Sequence, residues 1–176
     1  MRKLIVEELH RMSVEEFKVA EKLPVVMVLD NIRSLHNVGS VLRTADAFRL
    51  AGVCMCGITA CPPMPEIHKT ALGAEDSVAW WYEEDTLVAV EKLKAEGYTV
   101  LAVEQVEGSQ MLDTLTLNTD KRYALVMGNE VKGVRQDVVN VCAGAVEIPQ
   151  FGTKHSLNVS VSAGIVMWEF LRKLKK

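Results

Sequence analysis

The run Pro24-Val25-Val26-Met27-Val28-Leu29 passes into Asp30-Asn31-Ile32-Arg33-Ser34-Leu35-His36-Asn37-Val38-Gly39-Ser40-Val41-Leu42-Arg43, and this passage decides the fold. Six successive apolar positions rich in β-branched residues read as a strand buried on both faces. Beyond the polar turn the period changes: Val38, Val41, Leu42, Ala45 and Phe48 recur at helical spacing. Apolar runs return at 52–58, 78–82, 98–103, 122–127 and 144–148, with helical stretches between several of them. The clearest is 85–96, which sets Leu87, Val90 and Leu93 on one side. Strands that are apolar throughout, alternating with helices, predict an α/β fold whose mostly parallel sheet is covered by helices on both faces.

The 176 residues are 49% hydrophobic and 24% charged, with a formal net charge of -3. A chain of this size can bury a full core, and this composition excludes intrinsic disorder. No apolar run approaches a membrane span. The start, MRKLIVEELHRM, is interrupted by Glu7, Glu8 and His10, so no export leader is expected. The four cysteines are then expected to be reduced thiols of a cytoplasmic protein. There is no repeat or flexible linker, so a single domain over 24–176 is expected, preceded by a helical arm over 1–23.

Three loops could carry chemistry. The first leaves the strand ending at Leu29, where open α/β sheets place ligands. Asn37 there suits a helix N-cap. Arg43 falls off the apolar stripe, leaving it either solvated or facing a groove. The second, Met127-Gly128-Asn129-Glu130-Val131-Lys132-Gly133-Val134-Arg135, is glycine-bracketed but lacks the Lys-Ser/Thr of a phosphate loop, and no G-x-G-x-x-G occurs in the chain. It reads as a turn with accessible backbone and Glu130 at its edge. The third runs from Ile148-Pro149 to Ser156-Leu157-Asn158, where Ser156 or Asn158 could cap the helix that follows and free N–H groups would suit an anion. Positive charge gathers near these loops at Arg33, Arg43, Lys132, Arg135 and Lys154, which suits a phosphate-bearing substrate.

From Ser156 to Leu171 no charge occurs before Glu169. Leu157, Val161, Ile165 and Trp168 share one face; Val159, Ala163, Val166 and Phe170 share another. A helix apolar nearly all round is buried on more than one side, by a subunit interface or by a central position in one core. The closing RKLKK suits the helix dipole as a solvated tail, or else contacts phosphate. Cys54, Cys56, Cys61 and His68 match no standard zinc spacing, so no metal is expected. Trp80-Trp81-Tyr82 fits strand packing or an interface better than base stacking.

Taken in series, LHNVGSVLRTADAF (35–48), LVMGNEVKGV (125–134) and IPQFGTKHSLNVSVSAGIVMWE (148–169) resemble the three motifs of the SpoU–TrmH branch of the SPOUT RNA methyltransferases. The likeness covers about Pro24 to Leu171, and IHKTALGAEDS (67–77) adds to it. It implies 2'-O-methylation of a ribose in tRNA or rRNA, with S-adenosylmethionine as donor and in-line attack of the ribose oxygen on the methyl. It also implies a homodimer with a carboxyl-terminal trefoil knot, a rare exception to chain-connection rules that nothing local predicts. By the same resemblance Asn37, Arg43, Glu130, Ser156 and Asn158 form the catalytic set, and Met127, Gly128, Ile148 and Leu157 line the cofactor site. Arg43 would either hold phosphate bidentately or assist deprotonation, for which a guanidinium is a reluctant base. No separate amino-terminal RNA-binding domain is expected beyond the arm. An alternative is an RNA-binding or assembly protein that keeps the fold without turnover.

Overall fold

A computed structural model describes residues 1–175. The arm is less helical than its sequence suggests. A 3-10 turn at Val6–Leu9 precedes a short helix, α1 (Val14–Val19), and Leu23 already belongs to the first strand. Helix α1 has a capping box: Ser13 accepts from the Glu16 N–H while the Glu16 carboxylate accepts from the Ser13 N–H. Its Phe17 is buried, so this part of the arm is packed onto the domain.

The chain continues through β1 (Leu23–Asp30), α2 (Leu35–Ala47), β2 (Leu50–Cys56), α3 (Pro65–Ala71), α4 (Ala74–Ser77), β3 (Trp80–Glu83) and α5 (Thr86–Ala95). It ends with β4 (Tyr98–Val103), β5 (Gln110–Met111), β6 (Arg122–Met127), α6 (Gln136–Val141), β7 (Gly144–Glu147) and α7 (Val159–Leu174). The seven strands form one sheet in the order β3-β2-β1-β6-β4-β7-β5, and every pairing is parallel. The expected α/β class is therefore the observed one. The two-residue β5, both residues exposed, has no sequence period to announce it.

Strand β1 lies between β2 and β6, with Val28 beside both Cys54 and Val126. Its alternate residues enter two cores. Val25, Met27 and Leu29 pack with the buried sides of α2 and α7, and Val26 and Val28 pack with α5 and α6. Burial on both faces explains the continuous apolar run. Gly39 is where α3 crosses α2 most closely: a Cβ there would occupy the space of the Thr70 hydroxyl and the Ile67 carbonyl.

Helix α7 separates its two stripes. Val159, Ala163, Val166, Met167 and Phe170 are buried, whereas Val161, Ile165 and Trp168 remain 51, 39 and 55% exposed. Its basic end is largely engaged: Arg172 pairs with Glu169, and Lys173 donates to the carbonyls of Leu112, Asp113 and Leu115. Lys176, the last residue of the basic run, lies outside the described residues. No described helix is long and apolar enough to cross a membrane.

Candidate active site

Because all strands run the same way, the loops leaving β1, β4, β6 and β7 meet at one edge of the sheet. Those after β4, β6 and β7 surround a cavity of about 710 Å³ lined by Met127, Gly128, Glu130, Ile148, Ser156, Leu157 and Asn158, whereas Asn37 and the loop after β1 stand outside its lining. Gly128 is required by the turn beneath: a Cβ would meet the Gly133 carbonyl and the Val134 nitrogen, where Asn129 and Gly133 form a bridge.

The three loops are joined by a polar junction. The Glu130 carboxylate accepts from the N–H groups of Arg33 at 2.9 Å and Ser34 at 3.0 Å. It also accepts from Asn37 Nδ2 at 3.0 Å. Asn37 Oδ1 in turn accepts from Asn158 Nδ2 at 3.3 Å. Burial pushes the Glu130 carboxyl up, but the N–H groups of Arg33 and Ser34 and the Asn37 amide outweigh it and hold the group below its ordinary value. A carboxylate at the first turn of α2 also complements the helix dipole.

The structure corrects one cap assignment and decides between the two candidates for another. Helix α2 starts at Leu35 with Ser34 as its N-cap, the Ser34 hydroxyl accepting from the Asn37 N–H. Asn37 therefore lies inside the first turn, buried, with its amide turned to Glu130 and Asn158. Helix α7 starts at Val159, with Asn158 as the cap; its Oδ1 accepts from the N–H groups of Ser160 and Val161. Ser156 is exposed on the preceding loop and caps nothing.

Arg43 sits apart. It is exposed on α2, lines no part of the cavity, and has no hydrogen-bond or ion-pair partner among the described residues. Arg135, counted above with the free positive charges, is engaged instead: its guanidinium contacts Asp137 at 2.5 Å and Asp85 at 3.1 Å. Those partners raise its pKa further, the Asp137 hydrogen bond most of all. Arg33, Lys132 and Lys154 remain exposed.

Several contributors were not visible in sequence. Asn129 caps its own loop, accepting from the N–H groups of Val131 and Lys132, and its Nδ2 donates to the Asn31 carbonyl at 2.7 Å. Asn31 adopts a left-handed backbone with φ 56°. Fully buried Asp30 accepts from Asn31 Nδ2, Thr86 Oγ1 and the Arg135 N–H. The signal available was an Asx residue next to each turn. Cys54 and Cys56 are buried side by side in β2, and their mutual contact, then burial, pushes the Cys54 thiol up. Among the described residues no three His, Cys, Asp or Glu gather as metal ligands.

Residues 24–168 match the model of the SpoU rRNA Methylase family, and the chain belongs to that family. It is 32% identical over 156 residues to a TrmH family protein of Staphylococcus aureus, covering 89% of this chain and 62% of that protein. It is 34% identical over 148 residues to the 23S rRNA (guanosine-2'-O-)-methyltransferase RlmB of Nitrosomonas europaea, covering 84% and 56% respectively. The chain thus spans about three fifths of the length of these curated relatives. An AdoMet-bound rRNA methyltransferase from Sinorhizobium meliloti superposes with a TM-score of 0.78 at 27% identity, over 89% of this chain and 62% of that one. The A. aeolicus TrmH/SpoU tRNA modifying enzyme shares the fold, with a TM-score of 0.79 at 24% identity, over 91% and 80%.

Proposed function

We propose that this protein transfers a methyl group from S-adenosylmethionine to a ribose 2'-hydroxyl of tRNA or rRNA, working as a cytoplasmic homodimer. The observation that carries the reading is the junction Glu130–Asn37–Asn158, which ties together all three family motifs beside one nucleoside-sized cavity. Family membership and likeness to the S. meliloti and N. europaea methyltransferases support it.

The cavity suits S-adenosylmethionine in size and in chemistry. Met127, Ile148 and Leu157 offer apolar walls for an adenine ring. The loop 149–157 makes no backbone-to-backbone hydrogen bond among the described residues, so its N–H groups are free to donate to a ligand. When bound, the cofactor supplies an electrophilic methyl on a sulfonium. The chain's own residues then act by positioning. Glu130 and Asn37 hold the loop after β1 against the cavity, Asn158 anchors the loop after β7, and Ser156 presents a hydroxyl at the cavity wall. Arg43, an unpaired guanidinium with a planar fork, grips the phosphate next to the target ribose. Trefoil threading of the segments around β6, β4 and β7 is part of this reading, and the sheet order agrees with it.

Dimerisation is supported by α7. Val161, Ile165 and Trp168 form a stripe that the chain itself leaves exposed, and apolar surface of this kind marks a partner site. The test of function is transfer of labelled methyl from S-adenosylmethionine to RNA extracted from a strain lacking the gene, followed by alkaline hydrolysis. Label in alkali-resistant dinucleotides is the expected result, because a methylated 2'-oxygen cannot cleave its own phosphodiester. Label in mononucleotides would instead indicate base methylation. No label, with cofactor still bound, would favour an RNA-binding protein without turnover.

A further inference from the structure

Two adjacent residues at the carboxyl end of β4 belong to none of the three motifs yet reach both loops that wall the cavity. Glu104 turns its carboxylate toward the loop after β6, accepting from the Val134 N–H at 3.0 Å and from the Gln105 N–H at 2.9 Å. Its Oε2 fills the space that a side chain at Gly133, with φ 68°, would need. Gln105 turns the other way, and its Nε2 donates to the His155 carbonyl at 2.8 Å. Among the described residues this is the one hydrogen bond made by the segment 149–157.

That segment has no regular structure, and residues 151–157 are all exposed. It supplies Gln150, His155, Ser156 and Leu157 to the cavity wall. A stretch with so few internal bonds opens at low free-energy cost, so its closed position depends on whatever tethers it midway. Its ends are fixed by β7 and by the Asn158 cap; Gln105 is the tether between them.

We propose that Glu104-Gln105 is a clasp that fixes the loops after β6 and β7 around the cavity, and that Gln105 sets the rate at which the methyl donor enters and leaves. This rests on the reading of the cavity as the S-adenosylmethionine site. Gln105 also lines the cavity; its role here is positioning, through the 149–157 loop, and the loop's cleavage rate separates that tether from a direct contact with the cofactor. One hydrogen bond of this kind corresponds to about a two- to tenfold change in the open-to-closed ratio.

The test compares Gln105→Met, which keeps shape and loses the donor, with Gln105→Lys, which keeps a donor of similar reach. Two readouts are taken on the full chain without RNA: the dissociation rate of labelled S-adenosylmethionine, and the rate of chymotryptic cleavage after the exposed Phe151 in the loop. Gln105→Met is expected to raise both about two- to tenfold, with thermal unfolding unmoved, and Gln105→Lys to stay near the wild type. An unchanged dissociation rate in Gln105→Met would overturn the clasp, as would Gln105→Lys releasing cofactor as fast as Gln105→Met. A fall in melting temperature that accounts for the faster release would overturn it too. If the wild type binds no S-adenosylmethionine, the functional reading fails, while the cleavage rates still judge the clasp.

Discussion

The junction and the rim of this site are built in opposite ways. At the junction every polar group is engaged: Glu130 takes three donors, Asn37 both donates and accepts, and Asn158 caps α7 while reaching back to Asn37. At the rim Ser156 and Lys132 are exposed, as are Lys154 on the neighbouring loop and Arg43 outside the cavity on α2, and Arg43 has no partner among the described residues. Residues that one motif pattern groups together therefore divide into those that hold the loops and those left open to substrate. The engaged group should show itself in stability, and the open group in turnover.

The sharpest way to break this division is Asn37→Asp. The isosteric carboxylate would replace a donor 3.0 Å from Glu130 with a like charge. We expect a loss of about 2–4 kcal/mol at pH 7 by urea unfolding. The loss should shrink at pH 5, where the facing carboxyls can share a proton. A variant as stable as the wild type at pH 7 would remove Asn37 from the holding group.

Next in size is the apolar stripe. Trp168→Glu places a charge in a surface that is 55% exposed in the single chain. If the stripe is a dimer interface, the dissociation constant should rise at least about 30-fold, the scale of an interface hot spot. Light scattering would follow this across micromolar concentrations. A wild type that is already monomeric there would refute the interface.

A smaller effect concerns acid. The Glu130 carboxyl titrates below its ordinary value of 4.5 in the folded chain. Its hydrogen bonds therefore add stability above that value, and this is lost as pH falls through the folded-state value. Glu130→Gln should remove that part of the acid dependence and cost about 1 kcal/mol at pH 7, modest because water reaches the site. Urea unfolding at several pH values compares the two slopes; parallel slopes would argue that the carboxylate is not the group responsible.

The smallest effect is expected at Arg135, whose charge is spent on Asp137 and Asp85. Arg135→Ala should change the apparent KM for RNA by less than about twofold, whereas a phosphate-contacting cation would cost more and flatten the salt dependence. A large rise in KM would move Arg135 into the open group.

The strands were legible because β1 and β6 are buried on both faces and carry that burial as an unbroken apolar run. Sheet order was not, since nothing local says that β1 pairs with β6 across the intervening chain. The cap of α2 shows the same limit at the scale of one turn. Ser34 and Asn37 have similar N-cap preferences. What separates them is Glu130, 93 residues away, which draws the Asn37 amide inward. At α7, Asn158 was one of two candidates and the helix geometry selects it. Arg135 was counted as a free cation although its main partner, Asp137, stands two residues on; only Asp85 lies far off in sequence. Gln105 passed unnoticed because a single amide in no motif acquires meaning only when the 149–157 loop lies across from it.

The most direct measurement is made on Arg43→Ala, reading S-adenosylmethionine binding by calorimetry and methyl transfer to RNA on the same preparation. Arg43 lines no part of the cavity and is unpaired among the described residues. Binding should stay within a few fold of the wild type and the melting temperature should not move, while transfer falls by at least about 100-fold, the scale of losing a group that acts mainly in the transition state. Transfer at the wild-type rate, or cofactor binding weakened in step with transfer, would contradict the division between holding and acting residues.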